Sequence, residues 1–237
     1  MDYRKWVDAY DYVFPEKKQT TMFLIDHFGS GAICDLACAT GNYSIALRKA
    51  GFDVEGFDLS EPMVKRAQDK AEKENLDVIF QQLDMMDLDF KDRYDGLFCI
   101  GNSLVHLDGV NAIKKALANV YQSLKPGGKG IIQIVNYDRI LEKEVKTLPT
   151  IVSPPYTMER HYQFKDGRII FKTVLHKDDR SHTNNVELYP LRQEELKSLL
   201  ENLGFNRIRF FDGFTKKELN KEESFALVCI FEKSVSL

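Results

Sequence analysis

Between residues 32 and 137, short apolar runs alternate with amphipathic stretches, and this alternation restricts the fold more than any other feature of the chain. AICDL (32–36) reads as an apolar strand, GNYSIALRKAG (41–51) as a helix closed by Gly51, and FDVEGFDL (52–59) as an alternating strand. Ser60 stands as an N-cap, with Pro62 in the first turn and a Met63, Ala67, Ala71 stripe running toward Asn75. Strands follow at 76–83 and 94–100, then a helix at 110–124. The turn LKPGG (124–128) precedes a strand at 129–137. Such a series predicts an α/β fold, a doubly wound, mostly parallel sheet with helices on both faces.

The flanks have another texture. Residues 3–28 read as two helical pieces broken at Pro15, the second placing Met22, Ile25 and Phe28 on one face. From Tyr156 an antiparallel meander is expected, with strands at 156–164, 168–177 and 182–191 and a hairpin turn at KDG (165–167). A helix follows at 191–205, with Leu196, Leu199, Leu200 and Leu203 inward and Gly204 as its stop. Two strands, 206–214 and 224–233, complete the reading. Without an internal repeat or long linker, residues 1–237 form one domain: a helical segment 1–28, a core 29–150, a β insertion 151–190, and a final helix with hairpin at 191–237.

The loop after the first strand, DLACATG (35–41), sits where open parallel sheets bind ligands, at the carboxyl end of a strand. With alanine at 37 and 39 and only Gly41 as glycine, it lacks the G-x-G-x-x-G that brings backbone close to a pyrophosphate, and no P-loop GK[ST] follows. Small residues there either let an uncharged nucleoside lie against the backbone or simply let the turn pack closely. Asp58 ends the next strand, where a carboxylate accepts ribose hydroxyls or faces the dipole of the following helix. At the third strand, Asp84 and Met85 are either contacts for an adenine amino group and ring or a surface acid and a core methionine.

Charge removes some partners. The formal net charge of −3 and pI near 6.0 give no footprint for nucleic acid, which needs clustered Lys and Arg. The N-terminal MDYRKWVDAYDYVF lacks a signal pattern and no apolar run is long enough for a membrane span, so a cytoplasmic protein without membrane contact is expected. Cys34, Cys38, Cys99 and Cys229 lie in apolar contexts without CxxC, which suits buried thiols better than disulfides or zinc; no metal is expected.

Taken in order, DLACATG, FDLSEPMV, QQLDMMDL, YDGLFCIGNSLVHL and LKPGG resemble the class I S-adenosylmethionine-dependent methyltransferases over roughly residues 30–140. The usual family loop is closer to DLGCGTG, so Ala37 and Ala39 depart from it while still permitting close approach. The resemblance implies a seven-stranded sheet, parallel except for its last strand, with residues 1–28 as a helical lid. It implies S-adenosyl-L-methionine as cofactor, held by Tyr12, Asp35, Ala37, Ala39, Gly41, Asp58, Leu59, Met63, Asp84, Met85 and Ile100. GNSLVHL (101–107) and VNYDRIL (135–141) are similar to segments of the glycine and sarcosine N-methyltransferase branch. Carried over, Asn102 and Tyr137 face the methyl acceptor, and His106 is a base or a hydrogen-bonding pocket wall. The glycine-specific enzymes place an arginine just before NYD; here that position is Val135, which removes the best-suited carboxylate donor.

Methyl transfer from a sulfonium needs an in-line nucleophile, excluded water and a polar surround, but no covalent protein nucleophile. The expected reaction is methylation of a small molecule at an amine nitrogen. O- or C-methylation, cofactor binding without catalysis, and a nicotinamide oxidoreductase are the alternatives, the last disfavoured by the missing glycines. Tyr10 and Tyr12 are either acceptor-side rings or a helix packing face. The insertion carries Tyr156, Arg160, His161, His176, Arg180 and His182, which cover the pocket, form a homodimer surface, or are simply a solvated hairpin face.

Overall fold

In a computed structural model, the structure describes residues 6–235, so residues 3–5 of the first expected helix and the outermost residues of both flanks lie outside it. Seven strands form the main sheet: β1 (Ala32–Leu36), β2 (Asp53–Asp58), β3 (Ile79–Gln82), β4 (Tyr94–Cys99), β5 (Leu124–Val135), β10 (Phe205–Asp212) and β11 (Ala226–Lys233). Their order is β10-β11-β5-β4-β1-β2-β3. Strand β11 alone runs antiparallel to its two neighbours. Because the chain leaves β1 toward β2 on one side and later fills β4 and β5 on the other, the strand order reverses beside β1. Ligands of doubly wound sheets bind in the crevice at such a point.

Continuous burial of β1 follows from helices on both faces. On one face Leu24 and Phe28 of α2 (Lys18–Phe28) and Leu47 of α3 (Asn42–Lys49) pack with Ile33, Phe98 and Ile131. Ala67 and Ala71 of α4 (Glu61–Lys73) close over Phe80 beside them. On the other face Ile113, Leu117 and Val120 of α5 (Gly109–Ser123) and Leu196 and Leu200 of α7 (Gln193–Asn202) meet Cys34, Leu97 and Ile132. All four cysteines are free and buried.

Several expectations change. In α2 the buried face is Thr20, Thr21, Leu24 and Phe28, and Met22 is exposed, because the i, i+4 pair Leu24 and Phe28 turns inward. Ser60 precedes α4 but its side chain makes no cap bond. Strand β5 begins at Leu124, where it pairs with Tyr94, rather than after the turn. It ends at Val135: the Asn136 side chain accepts from Arg139 N and starts α6 (Tyr137–Glu142). The insertion has four strands, since β6 (Thr147–Ser153) pairs with β7 (Tyr156–Lys165) ahead of β8 (Arg168–Lys177) and β9 (Arg180–Leu188). The expected KDG turn is shorter by one residue: Lys165 ends β7, and Asp166 and Gly167, both at positive φ, make a two-residue turn before β8.

Candidate active site

Strand β1 hands over to α3 through Ala37–Gly41, and three residues of this loop are left-handed: Ala37, Ala39 and Gly41, at φ 66°, 49° and 73°. Alanine in that region costs about 1–2 kcal/mol, so neighbouring bonds must hold the turn. Cys38 N donates to Phe57 O at 2.9 Å, Ala39 N to Asp58 Oδ2 at 2.8 Å, and Gly41 N to Cys38 O at 2.9 Å. A Cβ on Gly41 would lie 2.6 Å from Phe80 Cζ, so of the three only this position requires glycine on steric grounds as well.

The tips of the next strands carry the expected acids. Asp58 accepts Ala39 N on Oδ2 and Ser60 N on Oδ1, each at 2.8 Å, and leaves lone pairs on both oxygens. Burial raises its pKa, and the two backbone bonds oppose the rise. Beside it, Leu59 is 59% exposed and the buried Ser60 Oγ has no hydrogen-bond partner among the described residues. Asp84 accepts Met86 N at 2.8 Å and caps the single 3-10 turn Met85–Asp87. Asn119 fixes that turn by donating to the Met85 and Met86 carbonyls at 3.1 and 3.0 Å.

Asp35 is enclosed beneath the loop and accepts Ser44 Oγ at 2.5 Å, anchoring α3 to β1. Desolvation raises its pKa to about 7, against the Ser44 bond and with help from Asp58. Met63 is likewise enclosed, packed with Trp6 and Ala9. A small-residue loop, acids at successive strand tips, one exposed apolar side chain and an orphaned hydroxyl fit a nucleoside cofactor carrying positive charge.

At the β4 tip, Gly101 and Asn102 are both left-handed, φ 84° and 70°. Gln133 holds them, its Oε1 accepting Gly101 N at 2.8 Å and its carbonyl accepting Asn102 N at 3.2 Å. Asn102 in turn accepts Val135 N at 2.9 Å and donates to the Tyr137 hydroxyl at 2.9 Å. Tyr137 was expected to face the acceptor, but it is 0% exposed. Its hydroxyl lies between Asn102 and Tyr162 of β7, and burial pushes its pKa well up. It joins the β5 tip to the insertion sheet instead of lining open space. His106 closes the 3-10 turn Ser103–His106 with its side chain exposed, and desolvation lowers its pKa to about 4. Ile100, buried at the strand end, packs with Phe98 and Ile131.

Helix α1 (Val7–Val13) covers this region. Its Ala9 and Val13, with Trp6, pack on Met63, on Tyr156, Met158 and Leu175 of the insertion sheet, and on Ala39 of the loop. Tyr12 is 49% exposed and stacks at a tilt on Tyr156, ring centroids 5.3 Å apart. Tyr10 contacts the Phe14 ring at 5.3 Å. Sequence reading missed the knot beneath: Asp11 Oδ1 accepts Thr40 Oγ1 at 2.5 Å and Lys70 Nζ at 3.0 Å, and Lys70 also donates to Asn42. These contacts join residues 29 and 59 positions apart, so no local spacing announces them.

A family model described as a methyltransferase domain matches residues 33–128. The glycine/sarcosine N-methyltransferase of Parasynechococcus marenigrum (strain WH8102) is 30% identical over 210 residues, 81% of this chain and 69% of that one. Its namesake from Halorhodospira halochloris is 29% identical over 227 residues, 89% of this chain and 79% of the relative. Among solved structures, an S-adenosylmethionine-dependent methyltransferase from Clostridium acetobutylicum ATCC 824 superposes with a TM-score of 0.85 at 19% identity, covering 98% of this chain and 99% of that one. CalS10, an amino pentose methyltransferase from Micromonospora echinaspora solved with its cofactor, superposes with a TM-score of 0.71 at 14% identity, over 99% and 98% of the two chains.

Proposed function

Because the chain belongs to the class I S-adenosylmethionine-dependent methyltransferases, we propose that it methylates a small molecule at an amine nitrogen by direct in-line displacement. The observation carrying this reading is the β4 tip, where Asn102 is fixed by Val135 N and Tyr137 at the start of the turn that ends in His106, in a chain similar to glycine/sarcosine N-methyltransferases. When bound, the cofactor supplies a methyl group activated on a cationic sulfonium.

The residues divide the remaining work. The free lone pairs of Asp58 would accept the ribose hydroxyls, Asp84 would accept the adenine amino group, and Leu59 and Met85 would cover the ring. The left-handed backbone of Ala37, Ala39 and Gly41 opens room for the methionine side, and Asp35 sets that backbone from below through Ser44. Ile100 and Met63 shape the pocket from beneath and above, and α1, with Tyr12, acts as the lid that excludes water. His106, neutral near pH 7, would accept a hydrogen bond from an N–H of the free amine and so aim its lone pair, and the proton carried by the N-methyl product passes to solvent. Tyr137 positions Asn102. Val135, in place of an arginine, moves recognition of the rest of the acceptor elsewhere.

Incubation with methyl-labelled S-adenosylmethionine and a panel of small amines, alcohols and carbon acids tests this reading. Label on nitrogen is expected; label appearing only on oxygen or carbon would sink it.

A further inference from the structure

Strand register places one polar row across the insertion sheet. Arg160 of β7 stands opposite Thr173 of β8, which stands opposite Asn184 of β9. Alternation fixes the face: Tyr156, Met158 and Tyr162 share it on β7, and Leu175 shares it on β8. On one side of the row, Met158 and Leu175 pack with α1. On the other, Tyr162 and Ile169 join the main core with Tyr137 and Val105. The row therefore lies in the seam between two apolar clusters, on the face turned toward the lid helix and the strand tips. Strand β9 is tied to the Ser103–His106 turn just beyond, where Tyr189 N donates to Val105 O at 2.9 Å.

Polar groups in such a seam should be paired, and two of these three are not. Thr173 is 1% exposed and its hydroxyl has no partner among the described residues; the Asn184 Nδ2 is buried and likewise unpartnered among them. Arg160 uses Nε and Nη2 on the Pro149 carbonyl, at 3.2 and 2.6 Å, and no carboxylate lies within ion-pair reach of it among the described residues. Burial, which penalises its charge, is the chief influence on the guanidinium. Leaving buried donors unmade costs the desolvation of each group, and a two-sided apolar seam gains nothing structural from them. The unmet capacity is an amide N–H2, a hydroxyl and the charge of a guanidinium bonded only to a neutral carbonyl among the described residues: the donor set for an oxyanion.

Resting on the amine reading above, we infer that Arg160, Thr173 and Asn184 form the acceptor subsite, binding an anionic oxygen group carried by the amine. A carboxylate and a phosphate share that chemistry. The row would do from the lid sheet what Val135 cannot do from the β5 tip.

Calorimetric titration of the protein saturated with S-adenosylhomocysteine tests it, using glycine, β-alanine, O-phosphoethanolamine and, as the uncharged-tail control, ethanolamine. At least one anionic amine is expected to bind about 10- to 100-fold tighter than ethanolamine, the worth of a charge-assisted hydrogen bond or two. A carboxylate or a phosphate preference then identifies the group. Arg160→Met should abolish the preference without changing S-adenosylhomocysteine affinity. Thr173→Val, near isosteric and relieved of a buried hydroxyl, should fold at least as well as the parent and lose part of the preference. Equal binding of ethanolamine, no binding of any anionic amine, or a preference that survives Arg160→Met overturns the inference. Anionic amines that bind by this row yet receive no methyl group on nitrogen leave the subsite standing and remove the amine reading instead.

Discussion

Replacing Gly41 by alanine tests how the cofactor loop is made. The residue is left-handed at φ 73°, where an added Cβ costs about 1–2 kcal/mol. That Cβ would also lie 2.6 Å from Phe80 Cζ and 3.0 Å from Ala67 Cβ, inside a closed cluster with Val64 and Ala71. Overpacking of this kind adds about 1–3 kcal/mol. Alanine's smaller unfolded-state entropy returns about 0.5–1 kcal/mol. The net is a loss of about 3 kcal/mol, which for a chain of this length lowers Tm by roughly 6–12 °C. Calorimetry on Gly41→Ala reads the stability, and titration with S-adenosylhomocysteine reads the loop, where affinity should fall at least about tenfold if a loop hydrogen bond is lost. Ala37→Gly and Ala39→Gly are the controls. Relief of strain there is offset by glycine's entropy and the lost methyl contact, so each should stay within about 1 kcal/mol of the parent. An unchanged Tm for Gly41→Ala, or a loss in Ala39→Gly as large, refutes the account.

Other expected outcomes follow from the same site. Asp58→Ala strips acceptors from Ala39 N and Ser60 N, so calorimetry should show both weaker S-adenosylhomocysteine binding and a lower Tm, with Asp58→Asn between; intact affinity would remove Asp58 from the ribose role. Asp35, with its pKa raised to about 7, favours the folded state fully below pH 4 and loses that contribution as pH rises through 7, whereas His27, lowered to about 4 by burial and Lys129, gains stability between about pH 4 and 6.5. Urea unfolding should therefore find Asp35→Asn more stable relative to the parent at pH 8 than at pH 5, by a few kcal/mol; the opposite trend would contradict the burial of a carboxyl there. Asp11→Ala leaves Lys70 without its carboxylate and unties α1, and the single tryptophan, Trp6, should then shift its emission to the red as the helix loosens. No shift, with unchanged hydrogen exchange in α1, would deny the knot a role in holding the helix.

What was legible in the sequence is what local periodicity writes down. The alternation of strands and helices from Ala32 to Val135, and the placing of Asp58, Asp84 and Asn102 at strand tips, follow from patterns a few residues long. Strand β6 has no clear strand signal, since it holds Pro149 and runs into Pro154 and Pro155; at a sheet edge a missing N–H faces no ladder and proline is tolerated. Helix α6 escaped because its start depends on Asn136, which is buried and donates to Lys221 O and Ser224 O, both more than eighty residues away. Tyr137 was assigned to the acceptor from its motif, but its burial depends on Tyr162, a partner from another sheet. The row of Arg160, Thr173 and Asn184 is invisible until register sets three strands side by side.

Strand β11 separates β5 from β10 in the main sheet although it is the last of the strands in chain order. Until residue 233 has been synthesised, β10 has no partner strand and Ile131, Ile132 and Ile134 of β5 lack one lateral neighbour. At about 5–20 residues per second a ribosome needs several seconds to pass from β5 to that point. Throughout that interval the strand tips that frame the crevice already exist while the sheet that stiffens them stays open on one edge. The nascent chain thus carries one unpaired apolar edge on β5 until the closing hairpin covers it.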